Sequence, residues 1–262
     1  VNVTTAQELM NALSSGTATT INIANNINMG DIKTGENINI DITNKRNITI
    51  QSSGATKNTV DFNGYSFKMN SNDYGVTFKN ITLYGRSYFG IVRNAGSYTF
   101  DNVDYTGSQL VYTESGYNST VNFNGTVNAN SVASYVGLNG TTYRTQGGGN
   151  QQVLQFRSGT NTINFNEDST VNLVTTNANV IENGGGTTNI NVKKGANVIL
   201  EPHTQTGMEQ FFSVDGIARG IASNATTNLT IDEGANLNIS LKDNPDDAYH
   251  SSALYLNSGA TI

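Results

Sequence analysis

Apolar and polar residues alternate along most of the chain, and the alternation recurs as a phrase of constant form. In residues 76–85 the two kinds of position alternate, an asparagine interrupts, and the alternation then resumes. Residues 98–107 repeat this phrase, and Phe100 lies 22 residues after Phe78. A period of two with many β-branched and aromatic residues is typical of strands, and asparagine tolerates the left-handed backbone of a sharp corner. The recurrence therefore predicts a solenoid of stacked β-coils.

Similar segments continue on both sides of this pair. They lie at residues 19–29, 38–50, 60–64, 121–127, 163–171, 190–198 and 229–237. The inward-facing phenylalanines are expected to stack on one another in the core: Phe62, Phe78, Phe100, Phe123 and Phe165. The corner asparagines are expected to form a ladder of amides that hydrogen-bond from coil to coil: Asn63, Asn80, Asn102 and Asn124. We expect one solenoid domain over residues 1–262, with coils from residue 19 onward.

Residues 4–15 are expected to form a short helix before the first coil. Thr5 and Glu8 have the spacing of a capping box. The apolar face consists of Ala6, Leu9, Met10 and Leu13. Because the first coil of a solenoid leaves its core open, this helix is expected to cap the N-terminal end. The sequence stops within a coil, so we expect it to be a fragment of a longer protein.

Three segments are longer than the coil repeat requires. These side loops cover about residues 131–151, 202–224 and 243–251, the second including a separate insert at 215–224. The strands expected beside them are at 153–156, 211–214 and 253–256. Because equivalent corners of stacked coils form a column, the loops are expected to leave one edge and to wall a groove. Loops on a rigid scaffold often carry binding residues.

Composition narrows the function classes that fit such a solenoid. The net charge is −6 with a pI of about 4.8, and charged residues make up only 13% of the chain. No run of Lys and Arg is longer than two residues, which argues against nucleic acid and anionic membranes as partners. Cysteine is absent, so disulfides and cysteine ligands for zinc are excluded. No apolar run approaches the roughly 18 residues of a membrane span.

Several of these motifs resemble a known family. Residues 5–13, residues 19–24 and the Gly-Ala-Asn corners at 195–197 and 234–236 are similar to the pectate-lyase-like adhesive domain of lactobacilli, in particular to the ligand-binding region of serine-rich repeat adhesins. The resemblance implies a right-handed, single-stranded parallel β-helix in an extracellular protein attached to the cell wall. It implies pH-dependent binding of mucin glycans on the host epithelial surface, or of acidic plant polysaccharide such as pectin. It supplies no catalytic motif and no cofactor.

Acidic polysaccharide is recognised by planar arginine side chains that pair with carboxylates and by aromatic faces that pack on sugar rings. The candidate ligand-binding residues are Arg86, Tyr88, Tyr135, Tyr143, Arg144, Arg157, His203, Arg219 and Tyr249. Arg157 is expected at a coil position equivalent to that of Arg93, with Glu182 at about the same position in a later coil. A surface ladder of alternating charge is the other interpretation of these three residues.

His203 and His250 are the two histidines, and both fall in side loops. Because histidine titrates near neutrality, the pair could strengthen anion binding in acid. Exposed loop histidines without a role are the alternative.

An active pectin or polygalacturonate lyase or hydrolase is the alternative function. A pectate lyase needs an arginine base and a cluster of carboxylates that holds calcium against the uronate. In this sequence Asp246 and Asp247 offer half of such a site, so neither a metal site nor a cofactor is expected. The sequence therefore predicts a non-catalytic adhesin binding region. The enzyme and a purely structural stalk remain competing hypotheses.

Overall fold

The computed structural model describes residues 1–204, 217–243 and 252–256. Over these residues most strands lie in parallel sheets, a short α-helix precedes the coils, and each coil stacks in register on the one before it. The expected all-β parallel β-helix is confirmed.

The elements follow one another closely along the chain. In order they are β1 (Asn2–Val3), α1 (Ala6–Ser14), β2 (Thr20–Ile23), β3 (Ile27–Asn28), a 3-10 turn (Met29–Asp31), β4 (Ile38–Asp41), β5 (Ile48–Ser52), β6 (Asn58–Asp61), β7 (Tyr65–Gly85), β8 (Val92–Gly107), β9 (Val111–Thr113), β10 (Thr120–Ser131), β11 (Ser134–Val136), β12 (Thr142–Arg144), β13 (Leu154–Phe156), β14 (Thr160–Phe165), β15 (Thr170–Thr175), β16 (Ile181–Asn183), β17 (Thr187–Val192), β18 (Asn197–Glu201), β19 (His203–Thr204), β20 (Arg219–Ser223), β21 (Thr226–Ile231), β22 (Asn236–Ile239), β23 (Lys242–Asp243) and β24 (Ser252–Leu256).

Two sheets form the walls of the solenoid. The larger contains β1, β2, β5, β7, β8, β10, β14, β17 and β21 in this order, and further strands extend it around the corners. The smaller contains β9, β13, β16, β20 and β24. Along each strand, alternate side chains enter a continuous apolar core, which is why the period of two in the sequence predicted these elements.

An aromatic stack in the core contains four of the five phenylalanines expected there. Phe78, Phe100, Phe123 and Phe165 are Cα partners on successive coils. Their neighbouring rings are stacked with centroids 5.7, 5.6 and 5.1 Å apart. Phe62 lies outside this stack and contacts Phe67 edge to face at 6.1 Å. It follows β6, which pairs with the last part of β7 and so belongs to another column of the core.

The helix α1 covers the N-terminal end, as expected. Its capping box is present, with the N–H of Glu8 donating to the side chain of Thr5 and the Glu8 carboxylate accepting from the Thr5 N–H. Leu9 is fully buried. Arg46 donates to the carbonyl oxygen of Ala12 at 2.7 Å, so a later coil is attached to the last turn of the helix.

Asparagine occupies several corners in the left-handed conformation, with φ of 46° at Asn80 and 54° at Asn102. The expected amide-to-amide ladder is wrong at these two positions. Asn80 donates to the carbonyl oxygens of Gly54 and Ala55, each at 3.0 Å, and Asn102 accepts from the N–H of Thr126 at 3.0 Å. The amides pair with backbone because the corners leave backbone groups without a sheet partner.

The described residues test the expected side loops in two places. Residues 131–151 do leave the coil, and they contain the antiparallel hairpin of β11 and β12. The end of the expected loop at 202–224 is wrong, because Arg219–Ser223 is the strand β20, paired with β16 and β24. The sequence placed that strand at 211–214 instead. Residues 211–214, and 244–251 of the third loop, lie outside the described residues.

Candidate functional site

The hairpin of β11 and β12 folds back onto the wall of the solenoid. The hydroxyl of Tyr135 donates to Oδ1 of Asp61 at 2.8 Å, and the guanidinium carbon of Arg86 lies 4.9 Å from the centre of the Tyr143 ring. Tyr135 and Tyr143 are each only 6% exposed. The aromatic faces that were expected to contact sugar are therefore covered by the protein itself.

Asp61 anchors this hairpin from the solenoid side. It is fully buried, and its Oδ1 also accepts from the N–H of Asn63 at 2.8 Å. Burial raises the pKa of Asp61 above its ordinary value, and the hydrogen bonds from Asn63 and Tyr135 oppose that rise. Burial and the neighbouring Asp61 charge also raise the pKa of Tyr135. These contacts hold the hairpin in place, so Tyr135 has a structural role in this conformation.

A second cluster lies beside β9, and its side chains are half-buried except for Tyr112, which is only 6% exposed. We call this cluster the aromatic–arginine surface, and it consists of Tyr88, Phe89, Arg93, Tyr112, Glu114 and Arg157. The three rings contact one another edge to face, with centroids 5.2 to 5.4 Å apart. The guanidinium of Arg93 lies 3.9 Å above the ring of Phe89. Arg157 directly follows Phe156, which pairs with Thr113 of β9. Burial raises the pKa of Tyr88 and of Tyr112, and the charge of Arg157 opposes the rise at both.

Glu114 lies between the two arginines of this surface. Its carboxylate accepts from Arg93 Nη2 at 2.5 Å and from Asn94 Nδ2 at 2.7 Å. Burial alone would raise the pKa of Glu114, but the hydrogen bonds from Asn94 and Arg93 and the charges of Arg93 and Arg157 lower it below its ordinary value. The charges do alternate here, but the acidic residue is Glu114 and not Glu182, which the ladder interpretation had named. The same arrangement leaves two cations beside three aromatic rings.

A buried amide network adjoins this surface. Glu182 is fully buried, and its carboxylate accepts from Gln155 at 2.8 Å, from Gln152 at 2.6 Å and from Asn179 at 2.9 Å. The Oε1 of Gln155 accepts in turn from the hydroxyl of Tyr88 at 3.4 Å, which connects the network to the surface. Burial raises the pKa of Glu182, and the three amide hydrogen bonds oppose the rise.

Sequence reasoning misplaced or missed several of these residues. Glu182 pairs with Gln155 and not with Arg157, so the expected equivalence is wrong by two residues. Tyr112 and Glu114 were not among the candidates, because apolar and polar residues do not alternate in the short stretch 110–114 and no direction could be assigned to them. Phe89 lies in a connection between strands, where no periodicity indicates its direction.

The remaining candidates lie elsewhere. Arg144 is exposed and packs against Gly148, where an added Cβ would come within 3.0 Å of its Nη2. The Nε2 of His203 lies 2.8 Å from Glu201 Oε1. Arg219 is only 4% exposed and lies 4.7 Å from the centre of the Tyr255 ring, so a ligand cannot reach most of it. Tyr249, His250 and residues 246–247 are outside the described residues.

Within the described ranges, no three or more His, Cys, Asp or Glu residues are grouped to hold a metal ion. No helix in the same ranges is long and apolar enough to cross a membrane. Two concavities of about 410 and 510 Å³ flank α1, and none of the candidate ligand residues lines them.

Known proteins resemble this chain in sequence over its first part and in fold over nearly all of it. Residues 1–112 match the family model of the pectate lyase-like adhesive domain. No curated protein sequence matches the chain. Among solved structures, the serine-rich repeat protein of Lactobacillus reuteri 53608 aligns with a TM-score of 0.56 and 20% identity, over 97% of this chain and 98% of that chain. The serine-rich repeat protein of L. reuteri 100-23 aligns with a TM-score of 0.50 and 17% identity, over 97% of each chain.

These findings confirm the resemblance that the helix and the corner motifs indicated. Residues 1–112 are similar in sequence to the pectate lyase-like adhesive domain, and nearly the whole chain shares the fold of the L. reuteri serine-rich repeat proteins.

Proposed function

We propose that this chain is the binding region of a bacterial surface adhesin and that it binds acidic polysaccharide without cleaving it. The ligand classes are pectin and host mucin glycans, and the location is the cell-wall surface of the bacterium. The match of residues 1–112 to an adhesive-domain family supports the adhesive role. The aromatic–arginine surface is the observation that supports acidic polysaccharide as the ligand.

The chemistry of this surface suits a chain of acidic sugars. A guanidinium pairs with a carboxylate in a planar, bidentate way, and a partly exposed ring packs on the apolar face of a sugar. Arg93 is already oriented by Phe89 and Glu114, so little side-chain entropy is lost when a ligand binds. The contacts are open to solvent, so single-site binding is weak and sensitive to salt. Many copies on one cell would raise the avidity.

Affinity electrophoresis in gels that contain polygalacturonate tests the proposal. The wild-type protein should be retarded, and Arg157→Gln should lose most of the retardation because one cation beside the rings is removed. Lys194→Gln is the matched control, since it removes one positive charge from an exposed corner outside this surface. Equal losses in the two variants would show that net charge, and not this surface, causes the binding.

The competing functions give different results with the same protein. Incubation with polygalacturonate and calcium should produce no unsaturated uronide absorbance; a signal that rises with time would support a lyase. A structural stalk predicts that Arg157→Gln leaves binding to mucin and pectin unchanged.

We further propose that acid strengthens binding at this surface. Burial raises the pKa of Glu182, so this carboxyl group is neutralised in milder acid than an ordinary glutamate, and the charge of Arg157 is then less compensated. Glu114, whose pKa is lowered, stays ionised in that range. A glycan array read at about pH 7 and about pH 5 should show stronger acidic-glycan signals in acid. In Glu182→Gln the difference between the two readings should shrink; an unchanged difference would exclude Glu182 as its cause.

A further inference from the structure

Two neighbouring columns of outward side chains on the larger sheet carry no charge over many successive coils, whereas the next outward column on the same strands includes Lys79 and Asp101. We call these two columns the Thr/Asn face. The first column is Thr20, Thr49, Thr77, Thr99, Asn122, Asn164, Asn191 and Thr230. The second column is Ser97, Thr120, Thr162, Asn189 and Asn228. These side chains are half-buried or exposed, and none is charged, aromatic or aliphatic.

Hydrogen bonds between coils hold part of this face in a fixed arrangement. In the first column, Asn164 Nδ2 donates to Asn122 Oδ1 at 2.9 Å, and Asn191 Nδ2 donates to Asn164 Oδ1 at 2.9 Å. In the second column, Asn228 Nδ2 donates to Asn189 Oδ1 at 2.8 Å. Polar groups that are oriented before a ligand arrives lose less entropy when they bind it.

The ladder leaves each amide able to bond outward. An amide side chain has two N–H donors and two acceptor lone pairs, and a ladder position such as Asn164 uses one of each. A threonine hydroxyl likewise donates and accepts. Groups that donate and accept equally match sugar hydroxyls, whereas a charged ligand would require an excess of one sign. The rows repeat at about 4.8 Å along the stack and about 6.6 Å across it, so a polymer with repeating hydroxyl groups fits better than a single small molecule.

We propose that the Thr/Asn face is a second binding surface, which takes an uncharged, linear, hydroxyl-rich polysaccharide lying along the solenoid. It is separate from the aromatic–arginine surface, and it binds by neutral hydrogen bonds alone. Binding should therefore be insensitive to salt, unlike the binding of polygalacturonate. Each contact is weak, and affinity comes from many coils that act together.

Affinity electrophoresis in hydroxyethylcellulose and in galactomannan gels tests this proposal with Asn164→Leu. The variant removes the polar group in the middle of the first column without adding charge, and its binding should fall by about tenfold because several hydrogen bonds are lost together. Asn172→Leu is the matched control. Asn172 is equally half-buried and donates to Asn128 at 3.1 Å, but it lies on the next face of the coil. Its binding should equal that of the wild type.

A variant of nearly unchanged shape controls for a loss of binding that is caused by misfolding. Thr162→Val removes one hydroxyl from the second column at nearly constant volume and should weaken binding less than Asn164→Leu does. Retardation of the wild type by neither neutral polymer would overturn the proposal, and so would equal losses in Asn164→Leu and Asn172→Leu. A parallel gel that contains polygalacturonate distinguishes the two surfaces. Binding of polygalacturonate depends on Arg157, so it should be unchanged in Asn164→Leu.

Discussion

Protonation of Glu182 and protonation of Glu114 change the stability of the fold in opposite directions. Burial raises the pKa of Glu182, so the folded state holds the proton more tightly than the unfolded chain. The ionised group therefore costs stability above its folded pKa, and this cost disappears as the pH falls towards the unfolded value. At Glu114 hydrogen bonds and the two arginines outweigh burial and lower the pKa, so its stabilising contribution is present above the unfolded value and is lost below it.

Replacement of each group by glutamine makes this difference measurable. Relative to wild type, the melting temperature of Glu182→Gln should fall as the pH is lowered from neutrality towards 4.5, the ordinary glutamate value. That of Glu114→Gln should rise relative to wild type as the pH is lowered below 4.5. Thermal unfolding followed by circular dichroism over a series of pH values provides both curves. Trends of the same sign in the two variants would contradict the assigned environments.

The stacked phenylalanines give the strongest prediction about stability at a single residue. Phe100 is 1% exposed and lies between the rings of Phe78 and Phe123. Phe100→Asp leaves an unpaired charge and a cavity in the core, and it should reduce the free energy of unfolding by about 4 kcal/mol or more. Thr99→Asp, one residue away and facing outward, should cost much less. Chemical denaturation measures both, and a wild-type midpoint for Phe100→Asp would disprove the register.

At the scale of elements, α1 shows how a helix end is completed by another part of the chain. The last turn of α1 contains no basic residue. Arg46 supplies the positive charge instead, and it donates to the carbonyl oxygens of Ala12 at 2.7 Å, Ala18 at 2.8 Å and Asn44 at 2.6 Å. Cations and donors at a helix C-terminus stabilise it because the last carbonyls lack partners within the helix.

Arg46→Ala should therefore loosen the N-terminal cap. We expect a loss of about 1–3 kcal/mol, since partly buried carbonyl oxygens are left without donors. Lys45→Ala is the control, because this exposed neighbour bonds only to the carbonyl oxygen of Asn70 among the hydrogen bonds of the described residues. Hydrogen exchange of the α1 amides should be faster in Arg46→Ala than in the control. Equal exchange in the two variants would show that Arg46 does not hold the helix.

The local sequence pattern predicted whether a stretch forms a helix or a strand. It did not predict which elements pair with one another. The capping box of α1 and the alternation in β7, β8 and β10 lie within short stretches of sequence, so they could be predicted directly. The strand β20 was placed several residues too early, because both stretches, 211–214 and 219–223, are largely apolar or small and only pairing with β16 decides between them.

For the whole molecule, stability should vary along the stack. Each coil contacts only its neighbours, so a coil whose inward side chains are less completely covered is held less firmly. Val192 is fully buried, whereas its register partner Ile231 on the next coil is 46% exposed. Leu254 is 36% exposed, although its partner Ile221 is buried.

Hydrogen exchange followed by mass spectrometry should reveal this gradient. Amides of β8 and β10 should be protected longest, and those of β21 and β22 should exchange earlier, because local opening at the exposed coil requires less free energy. Uniform protection from β8 to β22 would mean that the solenoid opens as one unit.

The sequence alone determined the coil architecture, the capping helix, the left-handed asparagine corners and the register of Phe78, Phe100, Phe123 and Phe165. These features depend on periodicity and turn chemistry, which act over a few residues. Only the tertiary structure decided that Tyr135 and Tyr143 are covered, that Glu182 is enclosed by amides, and that Tyr88, Tyr112 and Arg157 meet on one surface. Those outcomes depend on contacts between residues tens of positions apart, and the local pattern carries no information about which distant segments will cover an outward-facing side chain.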